Sequence, residues 1–176
     1  NNSSKPSEPV SFKLDTTAPG DNENGSQGAI AKPVVAIAEA ANGVSKAELA
    51  DGIQSEVTLP TGTVAGDKIT LTVTDPSGDK RTVDYTVTAE DVAAGKANVT
   101  IPTTQVAEDG NYNITAVVTD IANNSSKPSE PVSFKLDTTA PGQKEDGTDA
   151  AVSKPVVAIA EATNGVSKAE LADGIQ

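Results

Sequence analysis

Histidine, cysteine, methionine and tryptophan are all absent from this chain of 176 residues. Without histidine and cysteine the usual general base and the strongest side-chain nucleophile are missing, and no zinc-ligand spacing can be written. No disulfide can staple the fold. No glycine-rich phosphate loop occurs. Paired carboxylates can cleave glycosides in principle, but nothing singles out one pair among 25 acidic residues. The chain is therefore read as a non-enzyme. Aromatic side chains are confined to Phe12, Phe134, Tyr85 and Tyr112, so the core must be built from Val, Ile, Leu and Ala. Arg81 is the single arginine, and the net charge is −12. Such a surface cannot neutralise phosphates, which excludes nucleic acid as a partner. It is also repelled by anionic membranes unless a divalent cation intervenes. No apolar run is long enough to insert in a membrane, and no signal peptide or lipidation motif is seen. Asn2, Asn98 and Asn113 fit the glycosylation sequon, a short match that arises easily in a chain rich in Thr, Ser and Asn.

What the chain does have is a repeat of period 122: residues 1–54 return at 123–176 with 45 of 54 positions identical. Asn1–Gly20 returns unchanged as Asn123–Gly142, and Lys32–Gln54 returns as Lys154–Gln176 with Ala41 replaced by Thr163. Between them DNENGSQGAIA (21–31) stands against QKEDGTDAAVS (143–153), matching only at Glu23/Glu145, Gly25/Gly147 and Ala29/Ala151. The chain reads as a window on a tandem array. Residues 1–15 are the last strand of one repeat and 16–31 a linker. Residues 32–137 are a complete domain, 138–153 a second linker, and 154–176 the first part of the next repeat. Both linkers carry a net charge of −2, which suggests that they specify solvation and spacing rather than a contact.

Within the complete unit, apolar residues alternate with polar ones at period two. Seven strands follow: A (33–39), B (55–60), C (68–74), D (81–88), E (97–102), F (111–119) and G (131–137). DPSGD at 75–79 makes C and D a hairpin. Short helical turns are expected after Thr88, with Asp91 three residues on, and after Ser45, with Glu48. The expected fold is all-β, a seven-stranded antiparallel immunoglobulin-like β-sandwich. Tyr112 follows the acidic turn Glu108-Asp-Gly. It is either a tyrosine corner, with its hydroxyl bonded back to the main chain, or a plain aromatic at the core edge. The isolated strands at 1–15 and 154–176 cannot bury a face alone, so they are expected to fray or to pair with neighbouring molecules.

Acidic residues gather at both ends of such a sandwich. The proximal end, where the chain comes in, has Asp67, Asp91 and Asp120, with Asn123 and Asn124 nearby and Asp15 arriving through the linker. The distal end has Glu39, Glu48, Asp51, Asp75, Asp79, Glu108 and Asp109, with Asp137 leaving from it. Crowded carboxylates repel one another unless cations lie between them, and calcium takes six to eight oxygens of this kind. Acidic turns on an acidic protein are also ordinary solvated loops, and no segment fits the EF-hand pattern. Both readings stay open on spacing alone.

DTTAP at 15–19, EAANGVSKAELADG at 39–52, LPTGTVAGDKITLTV at 59–73, YTVTAEDVAAGKANVTIP at 85–102 and VTDIANN at 118–124 resemble the immunoglobulin-like repeats of giant bacterial surface adhesins. These are the biofilm-associated and type I-secreted adhesins of Gram-negative bacteria. The resemblance implies a non-enzymatic extender module, extracellular and cell-surface, that binds calcium near domain junctions. Its expected partners are neighbouring repeats of the same chain and other copies between cells. The metal positions it implies are Asp15 and Asp137, Asp120, and Glu39, Glu48 and Asp51. Asp67, Asn124, Glu108 and Asp109 join them from their place at the two ends. The alternative is a module that itself binds a glycan or a host protein, which usually needs exposed aromatic anchors.

Overall fold

The computed structural model of the chain describes residues 3–144, 148–159, 165 and 167–173. They fall into two compact units, Asn1–Thr138 and Thr139–Gln176. The first contains eight strands: β1 (Val34–Ile37), β2 (Val44–Ser45), β3 (Ile53–Thr58), β4 (Lys68–Thr74), β5 (Lys80–Thr86), β6 (Lys96–Ile101), β7 (Gly110–Thr119) and β8 (Val132–Asp137). One sheet has the order β1-β3-β6 and the other β2-β8-β7-β4-β5.

The alternation read from the sequence sets which side chains face inward. Ile69, Leu71 and Val73 of β4 are buried against Ile114, Ala116 and Val118 of β7 and against Val57, Val99 and Ile101 of the facing sheet, all in one cluster. Tyr112 and Phe134 stack in the same core, with ring centroids 5.3 Å apart. Tyr85 is only partly buried, because β5 is an edge strand.

The strand count and the all-antiparallel expectation need correction. The eighth strand, β2, pairs parallel to β8, with Val44 opposite Leu136 and Ser45 opposite Asp137. The chain leaves β1 through a 3-10 turn at Ala38–Ala41 and crosses to the other sheet. Gly43, at φ +84°, makes the crossing beside the Lys135 carbonyl. Two residues carry no detectable alternation, which is why period two does not find β2.

Both helical turns form. In α1 (Ala89–Ala94), Thr88 and Asp91 make a reciprocal capping box and Gly95 closes the helix in the left-handed region. Asp91 Oδ2 also accepts the Tyr85 hydroxyl at 2.8 Å. The Ser45 turn is a 3-10 helix at Glu48–Asp51, with the Glu48 carboxylate accepting from Ser45 N at 2.9 Å.

The stretch ahead of β8 is irregular, yet it continues the ladder. Ser129 N donates to Ala116 O and Ser129 Oγ accepts from Ala116 N, both at 2.9 Å. Ser126 does the same for Val118. The hydroxyls thus accept the β7 N–H groups in place of strand carbonyls, in a stretch where Pro128 and Pro131 have no N–H to offer the ladder.

The first linker is not a bare spacer. Residues 18–28 fold into a small hairpin bridged at Asp21 and Gln27. It is docked on the β3–β4 loop: Gly20 N donates to Thr61 O at 2.7 Å, Thr61 N to Ile30 O at 2.9 Å, and Ile30 N to Thr61 Oγ1 at 2.9 Å. Pro19 and Gly20 are buried. In the second unit the divergent linker makes the same internal bonds. Lys144 N donates to Thr148 O and Ala150 N to Gly142 O, as Asn22 N does to Ser26 O and Gly28 N to Gly20 O. Main-chain geometry, not side-chain identity, is what the two linkers share.

Residues 3–14 form no strand, and Val10, Phe12 and Leu14 are 92%, 88% and 76% exposed. Residues 154–159 form none either; a short helix, α2 (Lys168–Asp173), follows. The rest of the strand expected within 154–176 lies outside the described residues. Among the described residues no helix is long and apolar enough to cross a membrane.

Candidate cation site at the proximal end

Asp67 ends the β3–β4 loop, one residue before β4, and its side chain turns in toward the domain. It is 1% exposed. Oδ2 accepts from Val64 N at 2.9 Å, while Oδ1 is buried and accepts no hydrogen bond. Burial pushes the Asp67 carboxyl up, against the Val64 N–H, and the nearby charges of Asp120 and Asp15 push it further. An unpaired buried carboxylate oxygen is costly unless something positive approaches it.

Asp120 comes from the β7–β8 loop. The loop turns tightly, with Asn123 at φ +70° and Asp120 N donating to Asn124 O at 2.9 Å. Asp120 Oδ1 accepts from Asn124 N at 2.7 Å and Oδ2 from Asn124 Nδ2 at 2.8 Å. Asn124 Nδ2 also donates to the Asp15 carbonyl at 3.0 Å, which ties the arriving segment to this loop. The Thr17 N–H and then Lys13 hold the Asp15 carboxyl below its ordinary value.

Five carboxylates, Asp15, Asp21, Glu23, Asp67 and Asp120, line one cleft here, and Lys13 is the sole basic residue among its walls. The cleft encloses about 630 Å³, so water would have to fill whatever coordination protein oxygens leave. The sequence points to Asp15, Asp67, Asp120 and Asn124, and shows Asp21 and Glu23 only as linker charge. The signal that could have marked Glu23 is its match to Glu145, one of three identities in the variable stretch. Among the described residues no three acidic side chains stand close enough together to hold an ion as they are. The residues fit a hard cation by their oxygen chemistry and by the orphaned Asp67 Oδ1.

Of the distal candidates, Asp75, Asp109, Asp137 and Glu48 have carboxylates engaged in turns and pairs. Asp75 is buried: Oδ1 accepts from Ser77 N and Asp79 N, and Oδ2 pairs with Arg81 at 3.4 Å. Asp109 accepts from Thr138 N and Oγ1, closing the end of β8. Asp137 pairs with Lys135 at 3.0 Å. Glu48 caps its own turn, which Asp51 ends. Glu48 and Asp137 share a shallow cleft near Gly43. Glu39 has one buried, unpartnered oxygen. Glu108 contributes main chain: its N–H donates to the Tyr112 hydroxyl at 3.1 Å, and that hydroxyl donates to its carbonyl at 2.9 Å. The tyrosine corner is therefore formed.

Two solved structures resemble the fold distantly. One is a tetra-tandem repeat in the extending region of a large adhesion protein, 18% identical, covering 69% of this chain and 31% of that one, with a TM-score of 0.45. The other, from work on host cell surface retention, belongs to a 1.5-MDa bacterial ice-binding adhesin: 16% identical, covering 70% and 40% of the two chains, with a TM-score of 0.39. This chain therefore spans well under half of either. No curated protein sequence matches it. The family profile described as bacterial Ig-like domain matches residues 27–138, which begin in the docked hairpin and end just past β8. The chain belongs to the bacterial Ig-like domain family.

Proposed function

We propose that this chain is an extender segment of a bacterial cell-surface adhesin, in which calcium at the proximal cleft stiffens the junction between consecutive repeats. The observation that carries the calcium reading is the orphaned Asp67 oxygen, set beside Asp120 and the arriving Asp15. Asp67 would be the anchoring ligand, and Asp120 and Asp15, which do not stand close enough to share an ion with it as they are, would have to close on it, with Asn124 tying the Asp120 loop to the incoming main chain. Calcium, when bound, supplies the positive charge that lets these carboxylates ionise side by side. The extender reading rests on the 122-residue repeat and on family membership, and the absence of histidine and cysteine is consistent with it. In this reading the protein sits outside the cell, its partners are adjoining repeats and other copies, and it serves attachment and biofilm. A ligand-binding role is less favoured, because within the complete domain Tyr112 and Phe134 are buried and the Tyr85 hydroxyl is committed to Asp91; the exposed Phe12 belongs to the partial repeat before it.

Thermal melts with EDTA and with millimolar calcium test the proposal. At free calcium a hundredfold above Kd, binding linked to folding adds about 2.7 kcal/mol. Coincident melts, with no calcium heat in calorimetry, would overturn it.

A further inference from the structure

Asn1–Gly20 repeats as Asn123–Gly142 without a change, so Asp15 is the duplicate of Asp137 and Thr16 of Thr138. Asp137 is the last residue of β8, at the distal end of the domain. There Asp109 of the β6–β7 loop accepts from Thr138 N and Oγ1. Asp15, however, is fixed at a proximal end: its carbonyl accepts from Asn124 Nδ2 at 3.0 Å. Five residues later Gly20 N is bonded to Thr61 O. One short stretch of chain thus carries the bonds of a distal end and those of a proximal end.

We propose that consecutive repeats abut, the β6–β7 loop of one domain seated on the Asp120–Asn124 turn of the next. This rests on the extender reading, in which a whole repeat precedes Thr16, but not on calcium. In that repeat Asp15 ends the last strand, and the counterpart of Asp109 receives Thr16 N. Asn124 of the following domain holds Asp15. Neighbouring Cα atoms are ~3.8 Å apart, so two loops that grip adjacent residues stand side by side. The turn presents an apolar tip to this neighbour: Ile121 is 74% exposed and lies over Gly66, and Val64 is 53% exposed on the same β3–β4 loop. The facing loop offers Ala107, which is exposed. Asp120 and the counterpart of Asp109 come near each other there, but each accepts N–H bonds that offset its charge. The linker then adds no length to the array, because residues 18–28 are folded back as the docked hairpin. Sixteen extended residues would instead separate the domains by up to roughly 53 Å.

The test is the full chain lengthened by one period, residues 1–137 followed by 16–176. Its join of Asp137 to Thr16 reproduces Asp15–Thr16, and it has no cysteine of its own. Ala107→Cys is placed in the first complete domain and Ile121→Cys in the second. Their disulfide is expected to close about tenfold faster, or more, than when Thr82→Cys, within β5, replaces Ile121→Cys. The rate should be the same in EDTA and in millimolar calcium. Equal rates for the two pairs would overturn the proposal, while a calcium shift in the melts would still uphold the cation site. Closure that needs calcium would also overturn it, because the ion rather than the loops would then set the contact. X-ray scattering from the lengthened chain without cysteines gives a second measure. The two domain centres should lie roughly 40 Å apart, near the ~34 Å length of the ten-residue β7. A separation of about 60 Å or more would mean an extended linker and overturn the proposal.

Discussion

Tyr112 and Asp67 are both about 1% exposed or less, yet they differ in how their polar atoms are served. The Tyr112 hydroxyl both donates and accepts at Glu108. Tyr112→Phe keeps the stack on Phe134 and strands the Glu108 amide and carbonyl. It is expected to cost about 1–3 kcal/mol in denaturant melts. Glu108-Asp-Gly-Asn-Tyr112 offers that role beside the plainer one of a core-edge aromatic, and the hydroxyl's two bonds to Glu108 decide between them. Asp67 shows the opposite case. The sequence marks it only as an acid in a loop, since burial of one carboxylate oxygen depends on three loops meeting. A carboxyl raised on folding holds its proton more tightly in the folded chain. Its contribution to stability therefore falls as pH rises from the ordinary carboxylate range, near ~4, through the higher folded value. Glu48, Asp84, Asp91 and Glu130, all lowered, act the other way: their contribution is lost as pH falls through that range to their lower values. Asp67→Asn removes the buried charge. In EDTA at pH 7 it should melt above the wild-type chain, and calcium should no longer raise its melting temperature. A variant that melts lower in EDTA and still responds to calcium would show that Asp67 is not the group that calcium relieves.

At the scale of elements, period two locates β4 to β8, because each alternates a more buried residue with a more exposed one, whereas β1 and β3 come from less regular apolar runs. Lys68–Thr74, with Ile69, Leu71 and Val73 inward, agrees residue for residue. It misses β2, where a glycine crossing and one buried valine do the work. It also misreads the linker hairpin, whose shape is held by main-chain bonds that leave side chains free to vary. Gly20 and Gly25, both at positive φ, are exceptions in that hairpin, and Gly20 is the more confined. It lies at φ +98°, and a Cβ there would fall on the Ala31 carbonyl. Gly20→Ala is expected to cost about 1–3 kcal/mol locally. Amide exchange should then speed up at Gly28 and Thr61, which bond to Gly20 and Ile30, while Leu71 and Ala116 in the core keep their protection. A variant whose core amides loosen equally would mean that hairpin and domain unfold as one.

On the scale of the molecule, the period of 122 residues was plain in the sequence, and so was the gathering of acids at two ends. Their difference was not. Four distal carboxylates, Asp75, Asp137, Glu48 and Asp109, are engaged by Arg81, Lys135, Ser45 and Thr138, with Glu39 keeping one unpartnered oxygen, whereas proximal ones line a cleft with one lysine. The period also hides a mechanical property in the smallest strand. β2 and β8 run side by side in the same direction, Val44 beside Leu136 and Ser45 beside Asp137. The domain is held from opposite ends, by the chain leading into β1 at one and by the chain leaving β8 at the other. A pull on both draws β2 back and β8 forward, along their shared axis. Bonds loaded that way must give together, whereas bonds loaded crosswise open one at a time. In the proposed extender, the two residues that break the antiparallel rule would therefore be loaded in shear.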